Sequence, residues 1–273
     1  MEKLIKRTIS GGLFAILLVL AAQNKFTFLV LLLVFGFLCL YEFNKLIAQK
    51  NWFSYLIFVA LIFAFGFMEM LIGNSIGLNH ASQILHVICI FVLLLLTRDL
   101  FSSKSLPKLL TNRYINTTFY ISGGIVFLAL IAFNFGTYNP SIIIGMFALI
   151  WINDSFAYFV GSNYGRQKLF ESVSPKKTVE GFLGGVFFSA IGSYFIFKFT
   201  NELRFTSWLV MSVLVSIFGT IGDLIESKYK RQADVKDSGK LMPGHGGLLD
   251  RLDSAIFVAP FIYLFLRLLN YVS

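Results

Sequence analysis

A polar stretch at residues 227–253 packs six basic residues, four carboxylates, a histidine and a Gly-His-Gly-Gly turn between two apolar runs. Just before and within it, Asp223, Glu226, Ser227, Lys230 and Arg231 recur at the spacing of one helix face. Beyond the turn, Asp250, Asp253 and Ser254 repeat the pattern. Two helices that bring carboxylates together at one depth can hold a hard cation through oxygen, and Mg²⁺ typically combines one or two carboxylates with substrate phosphates. The same residues could instead form interfacial ion pairs, Glu226 with Lys230 and Asp250 with Arg251. Asp154, in Trp151-Ile-Asn-Asp-Ser-Phe-Ala-Tyr158, is a further carboxylate inside an apolar run. Such a placement costs free energy and marks a functional residue by default.

Two segments have phosphate-binding character. Pro243-Gly-His-Gly-Gly247 reads as a tight turn into a helix. Its glycines let successive N–H groups converge on an anion, and the helix start adds partial positive charge. His245 could bond a phosphate oxygen, transfer a proton or brace the turn. In Ser174-Pro-Lys-Lys-Thr-Val-Glu-Gly181, Lys176 and Lys177 precede a helix whose first turn carries Glu180. Paired lysines at this position serve either topology or a phosphate. Gly181 and Gly185 form a small-xxx-small step suited to close helix packing.

These residues need a scaffold, and composition specifies its kind. The chain of 273 residues is 57% hydrophobic and only 14% charged, against about 25% charged in soluble domains. Apolar runs near 8–23, 26–44, 52–72, 82–97, 117–135, 140–161, 179–199, 206–225 and 253–272 approach the roughly 20 residues that cross a bilayer as helix. The expected fold is therefore all-α, a polytopic membrane protein of about nine spans in a single domain, 1–273. Spans within 1–135 are expected to face lipid, and those within 140–273 to carry the site. The basic N-terminus before the first run resembles a signal peptide, but the alternation of the later spans favours its retention.

With the N-terminus inside, 19 lysines and arginines fall on the cytoplasmic side and four outside, the positive-inside asymmetry. This places every unusual polar cluster on the cytoplasmic face. The net charge of +9 is thus mainly a topology signal, with attraction to anionic headgroups beside it, and does not suggest nucleic acid. Cys39 and Cys89 lie within apolar runs and read as small hydrophobic residues. Trp52, Trp151 and Trp208 are expected as interfacial anchors, while His80 and His86 acquire no role.

The polar stretch resembles the C-terminal signature of the bacterial phosphatidate cytidylyltransferase (CDP-diglyceride synthetase) family. Ser227, Lys230, Arg231, Lys236, Asp237, Gly239, Pro243, His245, Gly246, Gly247, Asp250, Arg251 and Asp253 carry the likeness. The blocks 174–181 and 154–158 extend it in the expected order. The resemblance implies transfer of the cytidylyl group of CTP to phosphatidate, giving CDP-diacylglycerol and diphosphate at the bacterial inner membrane. It implies Mg²⁺ held by Asp223 and Asp250, with a second, monovalent cation such as K⁺ nearby. Lys176, Lys177, Lys230, Arg231, Lys236 and His245 become candidates for gripping phosphates, and Gly246 and Gly247 for donating N–H groups to the nucleotide. Asp154 and Asp253 would complete the metal shell or hold the lysines. The implied partners are CTP, phosphatidate and membrane lipids, with a homodimer left open.

Both substrates are polyanions, so such a site must first cancel charge, and catalysis is mostly positioning and electrostatics. Phosphatidate's phosphate is largely ionised at neutral pH, since the second pKa is about 6, so no general base is required. Two other readings compete. A polyprenol or lipid kinase would need a base for an alcohol, and a cation-coupled transporter would place carboxylates at mid-membrane in inverted repeats.

Overall fold

The computed structural model describes residues 2–50, 52–73, 75–102, 113–133, 137–242 and 246–272. Pro243, Gly244 and His245 of the glycine-rich segment, and the basic Lys104 and Lys108, lie outside the described residues. The chain is a bundle of long helices: α1 (Glu2–Ala22), α2 (Lys25–Leu46), α3 (Phe53–Ile72), α4 (Ile76–Leu100), α5 (Arg113–Ala132), α6 (Pro140–Tyr164), α7 (Val179–Thr200), α8 (Phe205–Gln232) and α9 (Leu249–Val272). It is an all-α polytopic membrane protein. Among the described residues, eight helices, α2 to α9, are long and apolar enough to cross a bilayer. The apolar part of α1, Ile9–Ala22, is shorter, about 21 Å at 1.5 Å per residue.

Local chemistry explains where these helices begin. Asn24, Ser75, Asn139 and Thr178 each accept a backbone N–H from the first turn that follows, and Pro140 occupies the start of α6, where its missing N–H has no cost. Asn201 closes α7 in the left-handed conformation. Between α6 and α7, strands β1 (Lys168–Phe170) and β2 (Ser174–Thr178) form a small antiparallel hairpin. Glu180 secures the hairpin's base by accepting the backbone N–H groups of Arg166 at 2.9 Å and Gln167 at 3.2 Å.

Helices α4 and α8 are longer than their apolar runs. The first begins at Ile76 and takes in polar residues such as Asn79 and Ser82, and the second continues through Lys228 to Gln232. Hydropathy marks the stretch of chain able to enter hydrocarbon, whereas the helix stops where caps and packing stop it. Lys228 illustrates this, since its ammonium bonds the carbonyls of Asp99 (2.7 Å), Leu100 (3.1 Å) and Ser102 (2.8 Å) at the end of α4.

The spans before residue 135, expected to face lipid, differ in how deeply they are buried among other helices. Helix α5 is 83% buried over its apolar window, the highest of the eight, because it packs along α9 and is enclosed by its neighbours. The helix with the lowest burial is α7, at 22%, which shows Leu183, Phe187 and Phe199 outward. Trp208, expected as an interfacial anchor, is fully buried against Gly145, while Trp52 is exposed. Cys39 and Cys89 are buried and free of disulfides, as expected of small apolar residues. His86 donates through Nε2 to the Pro260 carbonyl in α9 at 2.8 Å, so it braces the core.

Candidate active site

The C-terminal halves of α6 and α8, the start of α9 and the strand β2 carry the described candidate residues. Helices α6 and α7 approach closely where Gly185 faces the Asn153 side chain, a position with no room for a Cβ. The approach sets β2 of the hairpin against α8. There Lys177 Nζ lies 2.6 Å from Asp223 Oδ2, with both side chains about a third exposed, at 28% and 35%. Burial alone would depress the Lys177 ammonium, but the Asp223 carboxylate beside it, helped by Asp154 and Asp253, holds it above the usual lysine range. Ser227 donates its hydroxyl to Asp223 Oδ1 at 3.2 Å.

Asp154 joins this group from α6. Its carboxylate is exposed, accepts from the Asn153 amide at 3.3 Å and lies in the electrostatic reach of Asp223, Lys177 and Arg251. Asp253 is buried at the α8–α9 contact, close enough to Asp223 to interact with it electrostatically. The helices meet closely there, with the Ser254 hydroxyl bonded to the Gly219 carbonyl at 3.0 Å.

Asp250 and Lys230 have a different setting. Lys230 is buried between two carboxylates, Glu226 one turn earlier on its own helix and Asp250 Oδ1 at 2.6 Å. Asp250 Oδ2 accepts the Ser238 N–H at 3.0 Å, the Ser238 hydroxyl at 2.9 Å and the Gly247 N–H at 2.7 Å. Lys230, expected to grip phosphate, thus spends its charge inside the protein, and the Gly247 N–H is committed to Asp250. Gly247 is glycine for a steric reason as well, since a Cβ there would strike Ser238 Oγ and the Glu42 carboxylate. Gly246 takes φ of +89°, a conformation that favours glycine, and its carbonyl accepts the Met242 N–H at 2.9 Å.

The remaining cations divide by exposure. Lys176 and Lys236 are exposed, and so is Arg231, whose guanidinium bonds the Val235 carbonyl at 3.1 Å. Sequence reasoning passed over Glu42, from α2. It is buried and accepts Leu248 N–H (3.1 Å), Leu249 N–H (2.8 Å) and the Ser238 hydroxyl (3.1 Å). The one available signal was a glutamate in the apolar stretch Leu40-Tyr-Glu-Phe43.

Among the described residues, no three His, Cys, Asp or Glu side chains are grouped so as to hold a metal ion by themselves. The donor set nevertheless suits a hard cation that arrives with a polyphosphate. The Lys177 ammonium occupies a cation's place on Asp223, Asp154 is exposed beside it, and Asp250 Oδ1, bonded to Lys230, retains an acceptor position. In sum, carboxylates and lysines alternate at one end of the bundle, able to cancel and orient a cluster of phosphates.

Known proteins similar in sequence to this chain are found. A curated phosphatidate cytidylyltransferase of Bacillus subtilis (strain 168) is 45% identical over 139 residues, covering 50% of this chain and 51% of that protein. Phosphatidate cytidylyltransferases of Staphylococcus aureus (strain COL) and Staphylococcus haemolyticus (strain JCSC1435) are each 43% identical over 122 residues, 44% of this chain and 46% of theirs. The chain therefore spans about half the length of the curated relatives it matches. The model of the cytidylyltransferase family matches residues 3–269, nearly the whole sequence. The chain belongs to the cytidylyltransferase family.

Proposed function

We propose that this protein transfers the cytidylyl group of CTP to phosphatidate, forming CDP-diacylglycerol and diphosphate. The observation that carries this reading is the convergence of Lys177, Asp223, Asp154 and Asp253 on one partly open point at the end of the bundle. In the reaction, an oxygen of the phosphatidate phosphate attacks the α-phosphorus of CTP while the bond to the β-phosphate oxygen breaks, and diphosphate leaves with the electron pair. The nucleophile is already anionic, which matches a site in which no described residue is placed as a dedicated base.

Lys177 remains protonated and neutralises phosphate charge when it moves from Asp223 to the substrate. Lys176, Lys236 and Arg231 are exposed around the same end and attract the polyanions. Asp223 and Asp154 would hold Mg²⁺, with Asp250 contributing Oδ1, and a monovalent cation could share the site; the metal supplies charge neutralisation on the triphosphate. Asp253 lies within electrostatic reach of the pair and adds negative charge that keeps Lys177 protonated. The charge asymmetry of the sequence supports a site facing the cytoplasm of a bacterial inner membrane.

CTP labelled in the α-phosphate tests the reading on purified protein with phosphatidate in detergent. Label appearing in lipid supports cytidylyl transfer. Label absent from lipid while γ-label enters an alcohol would establish a kinase instead, and neither label in lipid would refute both.

A further inference from the structure

We propose that Glu42 is a positioning residue, which holds Ser238 and the start of α9 so that Asp250 is oriented for nucleotide binding. This rests on the cytidylyl-transfer reading above and extends the site to a helix from the opposite half of the chain.

Glu42 lies on the inward face of α2 beside the buried Cys39, Leu40 and Phe43. A carboxylate is costly there, and among the described residues no basic side chain forms an ion pair with it. Its compensation is three hydrogen bonds. Oε1 takes the Leu248 N–H at 3.1 Å, and Oε2 takes the Leu249 N–H at 2.8 Å and the Ser238 hydroxyl at 3.1 Å. Two of these donors belong to the opening of α9, where the N–H groups lack partners within the helix and the helix dipole favours negative charge.

The third donor ties Glu42 to the site. The Ser238 hydroxyl proton lies between two carboxylates, Glu42 Oε2 and Asp250 Oδ2, and the Ser238 N–H also goes to Asp250. Asp250 in turn receives Gly247 N–H and Lys230. Each group that aims Asp250 Oδ2 is therefore in a segment that Glu42 grips. The loop is moulded on this carboxylate, because a Cβ at either Gly239 or Gly247 would collide with it. Gly239 and Gly247 thus make room for Glu42, a use distinct from donating N–H groups to phosphate.

The test uses the full-length protein in detergent, with E42Q, E42D and S238A variants. Two quantities are read: amide hydrogen exchange at Leu248 and Leu249, and the apparent KM for CTP·Mg²⁺ against kcat. Replacing a residue that orients a ligand-binding carboxylate costs about 10- to 100-fold. E42Q, which turns an amide group toward backbone donors, is expected to speed exchange at Leu248 and Leu249 and raise KM about tenfold. E42D, which keeps the charge, is expected to recover much of the KM.

Unchanged exchange at these two amides in E42Q would overturn the proposal, as would faster exchange without a change in KM. A fall in kcat and melting temperature with KM unchanged would reduce Glu42 to a stabilising residue and also overturn it. If E42Q does not fold, S238A carries the KM reading, since it severs only the hydroxyl link between the carboxylates; an unchanged KM in S238A would overturn the proposal. Wild-type protein that makes no α-labelled lipid would refute the cytidylyl reading, and the exchange at Leu248 and Leu249 would still decide whether Glu42 holds the turn.

Discussion

Asp223 and Asp250 are matching aspartates on facing helices, yet the protein treats them differently. Asp223 is about a third exposed and is paired with a lysine from a surface hairpin, across a contact that is partly open. The Asp250 side chain is 6% exposed and bound by a buried lysine, a serine and a backbone N–H. An exposed pair is worth at most about 1 kcal/mol and exchanges readily, whereas a buried pair that loses one partner leaves a stranded charge costing about 3–5 kcal/mol. The two halves of one carboxylate arrangement therefore divide the work. Asp223 sits in the more accessible pair, whereas Asp250 is enclosed by Lys230, Ser238 and Gly247.

This division can be broken most forcefully at Lys230. Lys230→Met would leave Glu226 and Asp250 buried without a cation, and is expected to lower stability by about 3–5 kcal/mol. Thermal unfolding in detergent should show this even without substrate; a variant as stable as the parent would erase the difference between the two aspartates. Asp223→Asn should act on the other side of the comparison. It is expected to cut cytidylyl transfer by about 10²–10³-fold, as for loss of an electrostatic group in a site. Its unfolding temperature should stay close to that of the parent, and a large drop would make Asp223 structural too.

Gly247→Ala probes the packed side by shape alone. Its Cβ must displace Ser238 or Glu42, an overpacking cost of about 1–3 kcal/mol, measurable by chemical denaturation in mixed micelles. The smallest effect is expected from pH on the Lys177–Asp223 contact. The Lys177 pKa is raised on folding, so its contribution is fully present below the unfolded pKa and is lost only as pH rises through the folded value, above the usual lysine range. Between pH 6 and 9 the contact should therefore be constant. In that interval an amine-acylating reagent, followed by mass spectrometry, should modify the exposed Lys176 well before Lys177, and equal rates would show that the pair does not hold.

Much of this site was legible in particular residues. Helical spacing put Asp223, Glu226 and Lys230 on one face, and Glu226 and Lys230 do pair one turn apart. The small-residue step at Gly185 does mark a tight helix contact. Spacing was silent on commitments between distant segments. That Lys230 serves Asp250 depends on how α8 and α9 cross, and that Gly247 serves Glu42 depends on a contact across more than 200 positions. Lys228 looked like one more cytoplasmic charge, and its partners on α4 are likewise remote in the chain.

By itself, the sequence determined the medium and which charged groups share a helix face. Long apolar runs can be stable only in a bilayer, and carboxylates and lysines spaced at a helical period must share a surface wherever that helix forms. Tertiary structure decided which of those charges are available. Availability depends on desolvation and on the nearest donor, and both are set by helices that meet only after folding. Hence Asp223 stays partly open, Lys230 is sealed between two acids, and Glu42, a single glutamate in an apolar helix, accepts the N–H groups that open α9 and a serine hydroxyl shared with Asp250.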